Sequence, residues 1–195
     1  MNTRLNNQVM KNIRFFLAIL ILAGTLLSCD KEKCNCEKDQ PVLFQYEYIN
    51  HAWGYRHHGF MISPDGNVHG FSQPAEWKEY DSTGLISSAD LEFNLDQCDT
   101  LCGAVDTDSL NEFFNQIEEI RTGEIKDSEV YMADAGTGVF SAWYWSSKDS
   151  MYERVFLISN GDTNLENTNA KVDKLVEWLK KTGQKTDRFY WFDGE

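Results

Sequence analysis

Positive charge is in short supply in this chain. Of its 195 residues, 18 are Lys or Arg against 31 Asp or Glu, so the net charge is −13 with the histidines neutral. A nucleic-acid binder needs clustered Lys and Arg to neutralise phosphates, and this balance argues against one. Long apolar runs are missing too. The stretch Phe15–Leu27 (FFLAILILAGTLL) has 13 residues, short of the roughly 20 that span a bilayer as a helix, which excludes a polytopic membrane protein. Internal repeats and low-complexity stretches are absent, which excludes a collagen-like chain or a disordered tail. So are His-Glu-x-x-His, Gly-x-Ser-x-Gly and the phosphate-binding Gly-x₄-Gly-Lys. Gly136-x-Gly138 lacks a third glycine and reads as a turn. What is present is ordinary for a folded soluble domain: 42% hydrophobic and 25% charged residues. The length fits one domain, because single cores stop growing at roughly 250 residues.

The first 28 residues carry Arg4, Lys11 and Arg14 and no acid. A basic start before a short apolar core is the layout of a secretory signal peptide. Met10 opens a more conventional version (MKNIRFFLAIL), so the start codon could lie nine residues downstream. The segment ends in Leu26-Leu27-Ser28-Cys29, which resembles the lipobox of bacterial lipoproteins: an aliphatic residue, two small or apolar ones, then cysteine. The resemblance covers the first 29 residues, and Leu27 is larger than that position usually holds. It implies that the Cys29 thiol receives a diacylglyceryl group, that cleavage precedes Cys29, and that the new amine is acylated, often with palmitate. Each buried CH₂ contributes roughly 0.8 kcal/mol, so one chain binds reversibly while two or three hold firmly.

Loss of residues 1–28 leaves 15 basic against 31 acidic residues, a net charge of −16. Such a chain is repelled by anionic lipid, because surface attraction needs a basic patch. The expected partner is therefore the membrane, reached through the lipid. The following leash, Asp30-Lys31-Glu32-Lys33, resembles the export signals of surface lipoproteins in Bacteroidetes-type Gram-negative bacteria. Aspartate directly after the cysteine resembles the inner-membrane retention signal of enteric bacteria. The expected location is the outer membrane, with the leaflet open.

Four further cysteines are Cys34, Cys36, Cys98 and Cys102. An even number in an exported protein points to disulfides. A Cys34–Cys36 ring would be strained, so the expectation is that these two bridge Cys98 and Cys102 in one order or the other. Each bridge would close a loop of about 60 residues, which the chain-entropy model values at on the order of 4 kcal/mol. Five steps from Cys29 to Cys34 reach roughly 17 Å, so bridging would hold the domain near the bilayer. The alternative is a four-thiolate zinc site, although Cys-x-Cys is an unusual spacing and an oxidising compartment disfavours free thiolates.

Residues 41–195 predict a single α+β domain: a mainly antiparallel sheet of about six strands with two amphipathic helices. Residues 43–50 alternate aromatics as a strand does. Residues 57–62 and 67–72 flank Ser63-Pro64-Asp65-Gly66, a turn that predicts a hairpin. Leu91–Leu95 reads as a strand. A helix is expected over 108–121, strands around 127–133, 138–146 and 151–159, and a polar loop over 160–166. A second helix over 168–182 and a short terminal strand within 187–195 complete the domain. The segments around Trp53-Gly54, Gly59-Phe60, Asp65-Gly66-Asn67-Val68, Gly161-Asp162 and Leu175-Val176-Glu177-Trp178-Leu179 resemble small uncharacterised bacterial lipoproteins. That resemblance implies no activity.

His51, His57, His58 and His69 all lie within 19 residues and form the candidate metal site, because imidazole is the commonest metal ligand. The hairpin register opposes Met61 to His69 and His57 to Gln73. His57 and His69 then share a face about 13 Å apart, while His58 points the other way. Hydrogen-bonded sheet histidines are the competing reading. Asn160, Asp162, Asn164 and Glu166 alternate oxygen side chains as calcium ligands can, but the full twelve-residue signature is missing. Trp53, Trp143 and Trp145, with Tyr55 nearby, could offer a stacking platform for a glycan or protein partner if exposed, or form core if buried. Nothing calls for a cofactor or names a catalytic residue. The leading expectation is a lipid-anchored, non-catalytic binding or interaction module. The alternatives are an envelope hydrolase using carboxylates with a histidine from 51–69, or a metal-binding lipoprotein.

Overall fold

Nine strands, all paired antiparallel, form one sheet in the computed structural model of the chain, which describes residues 40–127 and 132–190. In chain order they are β1 (Phe44–Asn50), β2 (Arg56–Ile62), β3 (Asn67–Ser72), β4 (Leu85–Ile86), β5 (Thr100–Ala104), β6 (Ile125–Asp127), β7 (Thr137–Ser146), β8 (Met151–Gly161) and β9 (Leu165–Asn167). Across the sheet the order is β5-β3-β2-β1-β7-β8-β9-β6, with β4 pairing on β8. Among the described residues there are three helices of two turns or more, α1 (Ser88–Asp96), α2 (Thr107–Phe114) and α4 (Val172–Gly183), and a single turn, α3 (Ile117–Ile120). The α+β class with an antiparallel sheet stands. Nine strands replace the six expected, and three helices replace two.

The β2–β3 hairpin shows how local chemistry sets register. Gly66 supplies φ +85°, its N–H donates to the Ser63 carbonyl at 2.9 Å, and the Asp65 carboxylate accepts from Ser63 Oγ at 2.5 Å and from the Asn67 N–H at 3.2 Å. Met61 consequently faces His69 and the Gln73 N–H reaches the His57 carbonyl, the register the turn predicted.

β1 lies centrally and is buried on both faces. Phe44, Tyr46 and Tyr48 share one face with Phe60, Ile62, Phe140 and Ala142. There α2, α3 and α4 lay down Leu110, Phe114, Ile117, Ile120, Leu175, Val176 and Leu179. The opposite face holds a smaller cluster of Val42, Met61, Phe71, Trp143 and Tyr152, closed by Ile86 and by Leu91 of α1. Burying apolar area on both sides of the middle strands is the main stabilising term.

Several elements differ from expectation for identifiable reasons. Leu91–Leu95 is helical because Ser87 caps the segment: its Oγ accepts from the Asp90 N–H at 3.1 Å and donates to Asp90 Oδ2 at 2.7 Å. The helix expected over 108–121 breaks after Phe114, where Asn115 closes α2. Strand β5 was not anticipated, and β9 occupies residues expected to be loop. Residues 187–190 form no strand, although Phe189 packs on Tyr46 and Phe140 at ring separations of 4.9 and 5.9 Å. Cys34, Cys36, the lipobox and the leash lie outside the described residues, as does the remainder of the terminal segment. No helix among the described residues is long and apolar enough to cross a membrane.

Candidate functional site

Where β1 ends and β2 begins, the sheet opens a groove of about 370 Å³ lined by Tyr48, Asn50, Arg56, His58, Asp134, Ala135 and Tyr190. Small-ligand sites run from about 300 to 1,000 Å³, so the groove suits a small molecule. β1 and β2 pair Tyr48 with His58 and Asn50 with Arg56. Cross-strand partners project to the same face, which places all four on one wall. The rings of Tyr48 and His58 lie 4.8 Å apart at 32°, and Tyr190 meets Tyr48 edge-on at 5.5 Å.

The facing wall is the turn ahead of β7, and three side chains clamp it with four hydrogen bonds. Asp134 and Gly136 have φ of +62° and +72°. The Asp162 carboxylate accepts from the Ala135 N–H at 2.8 Å and the Gly136 N–H at 3.0 Å. Tyr48 donates to the Ala135 carbonyl at 2.7 Å, and Asn50 Nδ2 donates to the Asp134 carbonyl at 3.2 Å and to Tyr48 Oη at 3.1 Å. A methyl group at Gly136 would sit 2.7 Å from both Asn50 Cβ and the Ile49 carbonyl. Tyr46 adds a further tie by donating to the Tyr190 carbonyl. The wall is preorganised, which lowers the cost of ordering it around a ligand.

Two charged residues, Arg56 and Asp134, line the cavity, and among the described residues neither side chain takes part in this clamp. The Arg56 guanidinium and the Asp134 carboxylate are both exposed and make no ion pair within 4 Å among the described residues. Burial, with help from His57, Arg188 and Arg56, holds the His58 imidazole below its ordinary value. In a chain of net charge −13, the groove sets one cation, Arg56, against one anion, Asp134.

The four candidate histidines part company. His57 is buried on the face opposite His58, its Nε2–H donating to Glu47 at 2.7 Å. His69 meets Ser63 Oγ at 3.0 Å. His51 is exposed and stacks on Tyr55 at 5.3 Å. The described residues hold no group of three or more His, Cys, Asp or Glu able to bind a metal, because alternation along β2 separates His57 from His58. The loop carboxylate Asp162 spends both oxygens on amides rather than on a cation. The tryptophan platform also separates. Trp143 is core, 2% exposed, with its indole N–H donating to Gln45 at 3.0 Å. Trp145 is half-buried against Tyr152, and Trp53 alone stands out, 75% exposed at the β1–β2 tip beside Tyr55. Cys98 and Cys102 form no disulfide among the described residues, and their expected partners Cys34 and Cys36 lie outside them. Burial and neighbouring Asp99 push the Cys98 thiol up to about 12, and burial with Asp187 raises Cys102.

On the opposite face, Glu47 and His57 form an enclosed carboxylate–imidazole pair. Trp77, Phe71 and Tyr55 surround the His57 ring at 4.9, 5.2 and 6.0 Å, and His57 Nδ1 is buried without a hydrogen-bond partner among the described residues. Burial, then Glu47, raises Glu79 above the usual carboxylate range. Arg154 stacks over Tyr80, donates to its hydroxyl and bonds Ser141 Oγ at 3.0 Å.

Sequence reasoning singled out His58 but missed Tyr48, Asn50, Arg56, Asp134 and Tyr190. The available signal was the turn Asp134-Ala135-Gly136, whose left-handed residues have to be fixed by neighbours. Compared with known proteins, the chain matches no family model, no curated protein and no solved structure.

Proposed function

We propose that this is a lipid-anchored lipoprotein of the bacterial cell envelope, held at the outer membrane through Cys29, and that it acts as a non-catalytic binding module. One observation carries the binding reading. Among the described residues, the built, open groove offers aromatic faces, an unpaired Arg56 and an unpaired Asp134 but holds no nucleophile–base pair, whereas the carboxylate–imidazole pair Glu47–His57 is shut away on the other face. Anchoring rests on the basic-then-apolar leader ending in Leu26-Leu27-Ser28-Cys29. Four cysteines beyond the anchor support disulfides between the 34–36 and 98–102 regions, which would keep the domain close to the bilayer. In detergent phase separation the wild-type protein enters the detergent phase and the Cys29→Ser variant stays in the aqueous phase; equal partitioning of the two defeats the anchor.

The Glu47–His57 contact favours a second reading, an envelope hydrolase. Covered by Trp77, the pair cannot reach a substrate without displacement of that ring. Turnover of chromogenic esters or glycosides that disappears in Glu47→Gln would establish this reading over the first.

A further inference from the structure

The groove's unpaired charges limit what it can hold. Arg56 presents a guanidinium fork at the start of β2, exposed and without an ion-pair partner among the described residues. Such a fork matches a carboxylate with two parallel hydrogen bonds. The other cation close to His58, Arg188, is ion-paired with Asp99 and Asp187 at 3.5 Å each and lies outside the groove lining, so Arg56 is the cation the lining offers. Across the cavity, the Asp134 carboxylate sits on a turn whose backbone is held by Asp162, Tyr48 and Asn50. A carboxylate there accepts from hydroxyl or ammonium hydrogens and repels a second anion. Arg56 and Asp134 share one cavity without meeting, so neither neutralises the other. Tyr48 and Tyr190 add apolar ring area, and Tyr190 is 51% exposed. A half-exposed ring presents one face or edge to the C–H surface of a ring-shaped ligand.

These features define one ligand class. We infer that the groove binds a small ring-bearing carboxylate that also carries hydrogen-bond donors: its carboxylate on Arg56, its donor groups on Asp134 and its apolar face on Tyr48 and Tyr190. This rests on the binding reading proposed above and names the ligand chemistry of that same groove. Sugar acids and aromatic amino acids both present this set. In a sugar acid the donors are ring hydroxyls, and in an amino acid the donor is the ammonium group. A neutral sugar has nothing for Arg56, and a simple aliphatic carboxylate such as acetate has nothing for Asp134 or the rings.

The test is calorimetric titration of the purified full-length chain in detergent with glucuronate, phenylalanine, glucose and acetate, repeated on Arg56→Gln and Asp134→Asn. Glucuronate or phenylalanine should bind at least tenfold more tightly than both glucose and acetate, and whichever of the two prevails identifies the source. Arg56→Gln should abolish that preference, and Asp134→Asn should weaken the preferred ligand at least tenfold while leaving the melting temperature near that of the wild type. Glucose binding as well as glucuronate, or a carboxylate preference that survives Arg56→Gln, overturns the inference and leaves the groove as a site of different specificity. Absence of saturable binding by all four probes overturns the inference; amide chemical shifts around Tyr48 and Asp134 that also stay unmoved by the probes remove the groove as a binding site.

Discussion

His57 shows what one buried side chain commits the fold to. Its ring is 1% exposed and rests on a single polar contact, to Glu47, while Nδ1 has no partner. Truncating Glu47 to Ala strands both ring nitrogens in an apolar enclosure. The expected loss is about 1–3 kcal/mol in urea unfolding, the ordinary cost of a buried polar group left unpaired. Replacing both residues together, Glu47→Leu with His57→Phe, should recover most of that loss, because no polar atom is then left unsatisfied. His58, one residue along and on the other face, behaves differently. Burial, then His57, Arg188 and Arg56, lower its affinity for a proton in the folded chain relative to the ordinary 6.5. The unfolded chain therefore binds that proton first as the pH falls. The stabilising contribution is complete above about pH 6.5 and is lost progressively below it, down through the lowered folded value. The urea midpoint of the wild type should drop between pH 6.5 and 5 by more than that of His58→Gln, and parallel profiles would contradict the assignment. Burial first, then His57, Arg188 and Arg56, sets this response.

At the scale of elements, the groove depends on one turn. Gly136 holds a left-handed conformation and approaches the end of β1 so closely that a side chain there would meet the Ile49 carbonyl. Gly136→Ala should cost about 1–3 kcal/mol, the range for a residue forced into a strained backbone region, and it should disturb the Asp134 wall in amide spectra. An unchanged urea midpoint would show that the turn tolerates another conformation. The same scale explains what could be read in advance. Elements that state their own chemistry were legible: the Pro64-Asp65-Gly66 turn fixed the β2–β3 register, and Leu175, Val176 and Leu179 marked α4 by helical spacing. Strands of two or three residues, β4, β6 and β9, are too short for alternation to show. β5 is largely exposed and so carries no inward-facing pattern. α1 buries only Leu91 and Asn94, and its helical character lies in the Ser87–Asp90 cap rather than in periodicity. The groove was legible in one residue, His58, because the others come together only when β1, β2 and the turn before β7 are brought side by side.

For the whole molecule, charge and anchor have to be considered together. On the proposed reading, a mature domain of net charge −16 would gain nothing from an anionic lipid surface, so a place at the envelope would rest on acyl chains joined at Cys29. Groove specificity and cellular setting are separable, and each can fail without the other. The setting is tested most directly by intact mass spectrometry of the protein extracted from membranes with detergent. The account predicts a chain beginning at Cys29 and carrying a diacylglyceryl mass with further acylation of the new amine. A chain that retains residues 1–28, or one that begins elsewhere with an unmodified Cys29 thiol, would contradict it.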